Sequence, residues 1–279
     1  MQIKVKTPAK INLTLEIVNK RPDGFHNIKS IMQLIDLYDF ITIKAEKSAQ
    51  TLIKLSGNSE EIPYNEKNLV YKATKLFLDK AELSGYEFDI YIEKNIPISA
   101  GLAGGSTNAA GTLYGLNKLF QNLLSKAELH DLCSQLGSDL NVCLEGGCLL
   151  ATSRGEVIQK LPDREYSVSL IKPLKLGISA KEAYTKYSLL ENKPNYDMTF
   201  KMVDAIKIGT DIRQFLYNDL ETAVFNDYLE LQKIKEMYPE SIMSGSGSTY
   251  FRLEDNIEPM DGYWSKSGLK FISTGVEEV

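Results

Sequence analysis

The chain has 279 residues, 43% apolar and 25% charged, with a net charge of −5. This is the composition of a globular protein with a substantial core, in one large or two ordinary domains. The acidic balance argues against a broad nucleic-acid face, and no apolar run nears the roughly 20 residues that cross a membrane.

Met1 to Lys6 alternates like a strand and has no apolar signal core, so a cytoplasmic protein is expected. Strands are expected at 2–7 and 11–17, the second with Ile11, Leu13, Leu15 and Ile17 on one face and Lys10, Asn12, Thr14 and Glu16 on the other. A turn at 20–27 carries Phe25 and His26. Another strand is expected within 38–46. A helix starts after Asn68, a good N-cap, with Leu69, Ala73, Leu76 and Phe77 inward. A strand from Tyr86 to Ile92 precedes a glycine-rich stretch, and a helix with Leu113, Leu116 and Phe120 inward follows it. Ser125 and Glu128 form a capping box, and that helix should end near Gly137. Short strands at 147–152, 156–160 and 166–172 lead into helices at about 180–190, 198–208, 211–226 and 229–237. Strands near 249–253 and 269–275 finish the chain. Cys133, Cys143 and Cys148 are an odd, sparse set with only His26 and His130 beside them, which fits reduced packing residues better than a zinc site. The fold class is α+β, in two packed lobes with a boundary around 150–165.

The segment between strand and helix, Pro97 to Ala110, is the most informative. It holds Gly101, Gly104 and Gly105, then Ser106 and Thr107, with no acidic residue between Glu93 and Leu124. Glycines let the backbone approach a ligand closely, and a helix start offers unpaired N–H groups, a combination suited to phosphate. A tight turn before an N-cap serine is the plainer alternative. No Gly-Lys-Ser/Thr follows the glycines and no Gly-x-Gly-x-x-Gly occurs, so neither the P-loop nor the dinucleotide fingerprint applies. A second loop, Met243 to Thr249, alternates glycine with hydroxyls. It reads as a hairpin turn or as a backbone nest for an anion.

Phosphoryl transfer to an alcohol needs cationic help and a group that takes the hydroxyl proton. Lys10 is a candidate cation and Asp139 a candidate carboxylate. Their plainer roles are a solvated lysine and the cap of the next helix. Phe25 and His26 can stack on a planar ring or simply cover a core. Asn218 to Glu221 interrupts an apolar helix pattern and reads most simply as a solvated face.

Six segments in order, Pro8–Leu13, Arg21–His26, Ile96–Ala110, Gly137–Asp139, Asn218–Glu221 and Met243–Ser248, resemble the kinase superfamily of galactokinase, homoserine kinase, mevalonate kinase and phosphomevalonate kinase. The likeness runs the length of the chain. It is strongest to the branch that phosphorylates a cytidine-diphosphate conjugate of methylerythritol in the non-mevalonate route to isoprenoids. The resemblance implies a ribosomal-S5-like N-terminal ATP-binding domain over 1–155 and an α/β-sandwich domain over 156–279, with the active site in the cleft between them.

It implies Asp139 as general base and Lys10 as its electrostatic partner. Pro97, Gly101, Leu102, Ala103, Gly104, Gly105, Ser106 and Thr107 would cradle ATP, with Ser106 near Mg2+, and Asn68, Leu69 and Lys94 would lie near the adenine. Asn12, Phe25, His26, Tyr184, Gly245, Ser246 and Gly247 would hold the substrate. The implied partners are ATP and the small-molecule acceptor, without nucleic acid or membrane, for a monomer or homodimer. Another alcohol such as homoserine or a sugar is the alternative acceptor, and a nucleotide-binding module without turnover is the alternative outside catalysis. Three departures stand out. Phe25 replaces the family's usual tyrosine, Thr107 its more common serine, and Leu140-Asn141-Val142-Cys143 its typical Val-Pro-Phe-Phe after the aspartate. The last lies beside the implied base, where a displacement of about 1 Å can cost on the order of a hundredfold in rate.

Overall fold

The computed structural model describes residues 1–191 and 197–279. Strands β1 (Gln2–Lys20) and β2 (His26–Lys47) form one long antiparallel hairpin. The separate strands expected at 2–7 and 11–17 are therefore continuous. Pro8 has no N–H to give to a ladder, and the pairing absorbs it as a register shift between Pro8 and Ala9 instead of ending there. The expected strand within 38–46 is the far end of β2.

Next come the edge strand β3 (Leu52–Gly57), not foreseen from the sequence, α1 (Leu69–Lys80) and β4 (Tyr86–Glu93). Asn68 caps α1 as expected, its Oδ1 accepting from Val70 N at 2.9 Å. Helix α2 (Gly104–Leu119) is entered through Ala103 in the left-handed conformation, φ +57°, with no side-chain cap. Ser106 thus lies inside the first turn and is not an N-cap. Helix α3 (Lys126–Leu136) has the predicted capping box, and α4 (Leu140–Glu145), β5 (Cys148–Ser153) and β6 (Val157–Lys160) follow. The first sheet runs β1-β2-β4-β3 with β5 and β6 branching from β2, and Phe77, Phe88, Leu113 and Leu116 bury the helices against it.

Beyond this point lie β7 (Ser167–Pro173), α5 (Ala180–Ser188), α6 (Met198–Ile208), β8 (Tyr217–Asn218), α7 (Asp219–Val224), α8 (Leu229–Met237), β9 (Ile242–Met243), β10 (Tyr250–Arg252), β11 (Tyr263–Lys270) and β12 (Glu277–Glu278). The second sheet is β11-β7-β10-β9. The single helix expected over 211–226 is broken, because Asn218 stays extended beside β1 and spends its Oδ1 on Leu220 N, 2.9 Å, to start a new helix. The polar insertion is not a solvated face: Asn218, Asp219 and Glu221 are all buried. The closing strand expected at 269–275 begins earlier, at Tyr263, and ends at Lys270. β6, β8 and β12 all join the first sheet, which ties the two halves of the chain together. Among the described residues no helix is long and apolar enough to cross a membrane.

One buried carboxylate fixes where the glycine stretch begins. Asp39, fully buried on β2, accepts from Asn95 N (2.7 Å), Ile96 N (2.8 Å) and Asn108 Nδ2 (2.9 Å), and pairs with the buried Lys94 ammonium. The segment leaving β4 is thereby bonded to the sheet and to α2 at once. Removing one partner of a buried pair strands the other charge. Asp39→Ala is therefore expected to lower stability by about 3–5 kcal/mol in chemical denaturation; a loss under about 1 kcal/mol would show that the cluster is not holding this junction.

Candidate active site

A cavity of about 1130 Å3 opens where the first sheet, the start of α2, α5 and the β9–β10 loop meet. It gathers residues far apart in sequence. Lys10, Asn12 and Asp139 line it together with Asn68, Leu69, Lys94 and Pro97. Gly101, Leu102, Ala103, Gly104, Gly105 and Ser106 line it from the first glycine loop, and Gly245 and Ser246 from the second. Phe25, His26 and Tyr184 form its other wall. Two sequence candidates do not face it. Thr107 is fully buried with its hydroxyl beside the Cys143 thiol, and Gly247 is backed by Met243 and Ile178.

The first glycine loop folds as its sequence requires. Gly101 sits at φ +73°, and any Cβ there would lie 2.0 Å from the Ser244 carbonyl oxygen. The two glycine loops are thus pressed backbone to backbone, and glycine is needed for both reasons. Thr107 N already donates to Ala103 O at 2.9 Å. The preceding N–H groups of Gly104, Gly105 and Ser106 are the orphan donors of the first turn, at the positive end of a sixteen-residue helix. Such a helix start is suited to an anion. A Cβ at Gly104 would come within 2.9 Å of Lys94 Nζ, so this lysine lies under the helix start, held by Asp39.

Lys10 is the polar centre. Its side chain is 4% exposed, and Nζ donates to Asn12 Oδ1 (2.6 Å) and Gly101 O (2.8 Å), with Asp139 Oδ2 at 3.9 Å. Asn12 in turn donates from Nδ2 to Ser30 Oγ (2.8 Å). The expected polar face of the second strand segment exists but is buried; Lys10 and Asn12 line the cavity, whereas Thr14 and Glu16 bond to Thr199 and Met198. Asp139 stands at the N-cap position of α4, yet its carboxylate makes no capping bond and keeps 30% of its side-chain surface exposed. The capping alternative is therefore set aside by the geometry.

The segment after Asp139 is well packed. Leu140, Val142 and Cys143 are fully buried, while Asn141 donates to Ser134 Oγ (2.9 Å) and to Glu156 O (2.8 Å). Burial pushes the Cys143 thiol up to about 12, so it packs as a neutral group.

On the opposite wall His26 stacks on Tyr184, centroids 5.0 Å apart and planes 19° apart. Burial, then the nearby Asp139 and Asp219 carboxylates, push the Tyr184 hydroxyl up, so it remains a neutral donor. Phe25 is 52% exposed at the mouth, with the Arg154 guanidinium 5.2 Å from its ring centroid. Arg154, Ser30, Ser244, Asp39 and Asn218 were not singled out as site residues from the sequence. The Asn218 motif and the Met243–Thr249 loop, which holds Ser244, offer a signal; Ser30, isolated within a strand, offers none.

Residues 68–147 match the GHMP kinases N terminal domain. The chain is 41% identical over 264 residues to a 4-diphosphocytidyl-2-C-methyl-D-erythritol kinase of Lachnoclostridium phytofermentans, covering 91% of this chain and 88% of the relative. It is 38% identical to a protein of the same name from Caldanaerobacter subterraneus subsp. tengcongensis, covering 93% and 91%. A crystal structure of a 4-(cytidine 5'-diphospho)-2C-methyl-D-erythritol kinase superposes with TM-score 0.75 at 26% identity, over 98% of this chain and all of that one. A Cytophaga hutchinsonii homoserine kinase superposes with TM-score 0.77 at 16% identity, over 100% of this chain and 97% of that one, a likeness of fold. On identity and coverage together, the chain belongs to the 4-diphosphocytidyl-2-C-methyl-D-erythritol kinase family.

Proposed function

We propose that this protein transfers the γ-phosphoryl group of ATP to the 2-hydroxyl of 4-diphosphocytidyl-2-C-methyl-D-erythritol. The observation that carries the reading is the Lys10–Asp139 pair, 3.9 Å apart, set in one cavity with an anion-binding helix start and an aromatic wall. The family supplies the choice of substrate. Asp139 accepts the hydroxyl proton as the oxygen attacks phosphorus, and ADP leaves with the bond to the γ-phosphoryl group. Lys10 stabilises negative charge growing on the transferred group, an effect strengthened where water is excluded. The first-turn N–H groups of α2 hold the polyphosphate.

The His26–Tyr184 wall favours a planar base over an aliphatic acceptor such as homoserine. The mouth adds Lys20, Lys181 and Arg154 to Asp23, a cationic excess suited to a diphosphate bridge. We place the enzyme in the cytoplasm, acting as a monomer or homodimer on a free small molecule.

The residues present also fit magnesium carried in on the nucleotide. Among the described residues no three His, Cys, Asp or Glu side chains converge to cage a metal, and Ser106 and Asp139 offer hard oxygen atoms on the cavity wall. Mg2+ prefers phosphate oxygens, water and one or two protein oxygens. Ser106 would help hold it, and it would neutralise phosphate charge.

A coupled assay comparing the cytidylyl substrate with homoserine, mevalonate and galactose tests the assignment; turnover with another of these alcohols in its place would discard the substrate. Asp139→Asn is expected to reduce kcat at least about a hundredfold while ATP still binds. Unchanged turnover in that variant removes Asp139 from the mechanism. His26→Ala is expected to raise KM for the cytidylyl substrate and leave KM for ATP alone, whereas equal changes in both would deny His26 a place at the acceptor.

A further inference from the structure

The segment Asn218 to Glu221 has no part in the chemistry above, yet it is the most heavily bonded stretch against the second glycine loop. Asn218 is 3% exposed. Its Oδ1 accepts from Leu220 N and starts α7 (2.9 Å), while its Nδ2 donates to two carbonyl oxygens of the loop, Met243 O at 2.6 Å and Gly245 O at 2.8 Å. Glu221 Oε2 accepts from Met243 N at 2.9 Å, and its other oxygen is 3.1 Å from Lys235 Nζ. One peptide strand is thus gripped by its N–H and by two of its carbonyls.

The grip has a direction. The Gly245–Ser246 peptide bond is trans, so its N–H points away from its C=O. Asn218 draws the Gly245 carbonyl back into the fold, which turns the Ser246 N–H outward, in a loop that lines the cavity. Among the described residues neither Gly245 N–H nor Ser246 N–H donates to a protein acceptor. Gly245 also lies against the catalytic lysine: a Cβ there would be 3.1 Å from Lys10 Nζ and 3.0 Å from Gly101 O. A free donor beside a buried ammonium, across from an anion-binding helix start, suits a phosphoryl oxygen.

We propose that Asn218 is a positioning residue that turns the Gly245–Ser246 peptide so that the Ser246 N–H donates to a phosphoryl oxygen beside Lys10. This rests on the kinase reading for its ligand. Asn218 never touches the substrate. It acts through one peptide plane, and β8 fixes that plane to β1 by pairing Asn218 with Leu15, three residues beyond Asn12.

Asn218→Ser separates the two roles of this side chain, because serine is an equally good helix cap but too short to reach both carbonyls. In the folded variant kcat is expected to fall about ten- to a hundredfold, within the range for losing one oriented donor to a developing anion. KM for the acceptor should change less than about twofold, because the His26–Tyr184 wall is untouched. An unchanged kcat overturns the proposal, and so does a matching rise in KM for the acceptor, which would mark a general disturbance of the cleft. The wild-type protein gives a second reading that depends on no variant: the Ser246 amide resonance should move downfield on adding inorganic tripolyphosphate. An amide indifferent to the anion overturns the proposal even if kcat falls. Wild type run in parallel keeps the kinase reading apart, because its failure to turn over any acceptor defeats that reading while the tripolyphosphate titration still judges the donor.

Discussion

Lys10 carries a full charge in a side chain that is 4% exposed, and much of the cleft follows from what that burial requires. An ammonium taken out of water costs several kcal/mol unless its protons are met by acceptors. Here they are met by the Asn12 amide oxygen and the Gly101 carbonyl, with the Asp139 carboxylate close by. Each acceptor then needs its own restraint. Asn12 is held by Ser30, and Gly101 O also accepts from Ser244 Oγ at 3.0 Å. Ser244 belongs to the second glycine loop, so the acceptors of one lysine bring both loops and the long first strand to a single point. Such a charge needs no reorganisation when negative charge develops nearby, which is the condition under which electrostatic stabilisation is largest.

Other buried carboxylates follow the same logic at a distance. Asp39 and Lys94 set the start of the first loop, while Glu221 and Lys235 set the start of the second. Burial raises the Glu221 carboxyl above its ordinary value, with Lys235 and the Met243 N–H working against that rise. Neither pair is well explained as a source of net stability, because hydrophobic replacements of such pairs are often no worse. Their value here is geometric. Each places a directional acceptor against backbone N–H groups at the entry to a glycine-rich segment, where the backbone would otherwise have many conformations to choose from.

This division explains what could be read from the sequence. Helix α1 and its Asn68 cap, the Ser125 capping box and the strand before the first glycine loop were legible because local rules decide them. Lys10, Asp139 and both glycine loops were legible as chemistry-bearing types in suggestive settings, and the fold brings them into one cavity. The failures have tertiary causes. Nothing local shows that Pro8 would be absorbed by a bulge in a nineteen-residue strand, since that depends on a β2 with two residues to spare at that point. The break at Asn218 depends on β1 offering a ladder edge and on the glycine loop offering two carbonyls. Thr107 looked like its neighbour Ser106, but the helical rotation of about 100° per residue turns one hydroxyl to the cleft and the next to the core.

That inward hydroxyl bears on the segment after Asp139. The family pattern places bulky apolar residues there, whereas this chain has Leu140, Asn141, Val142 and Cys143. Cys143 lies beside Thr107, so the helix that follows Asp139 touches the first turn of α2. Both side chains are fully buried, so the two helices are in packed contact there. Asn141, in place of proline, bonds to His130 and Ser134 of α3 and to Glu156 O in the turn before β6. Asn141 and Cys143 thus tie the start of α4 to α3 and to α2, which restrains the segment that carries Asp139.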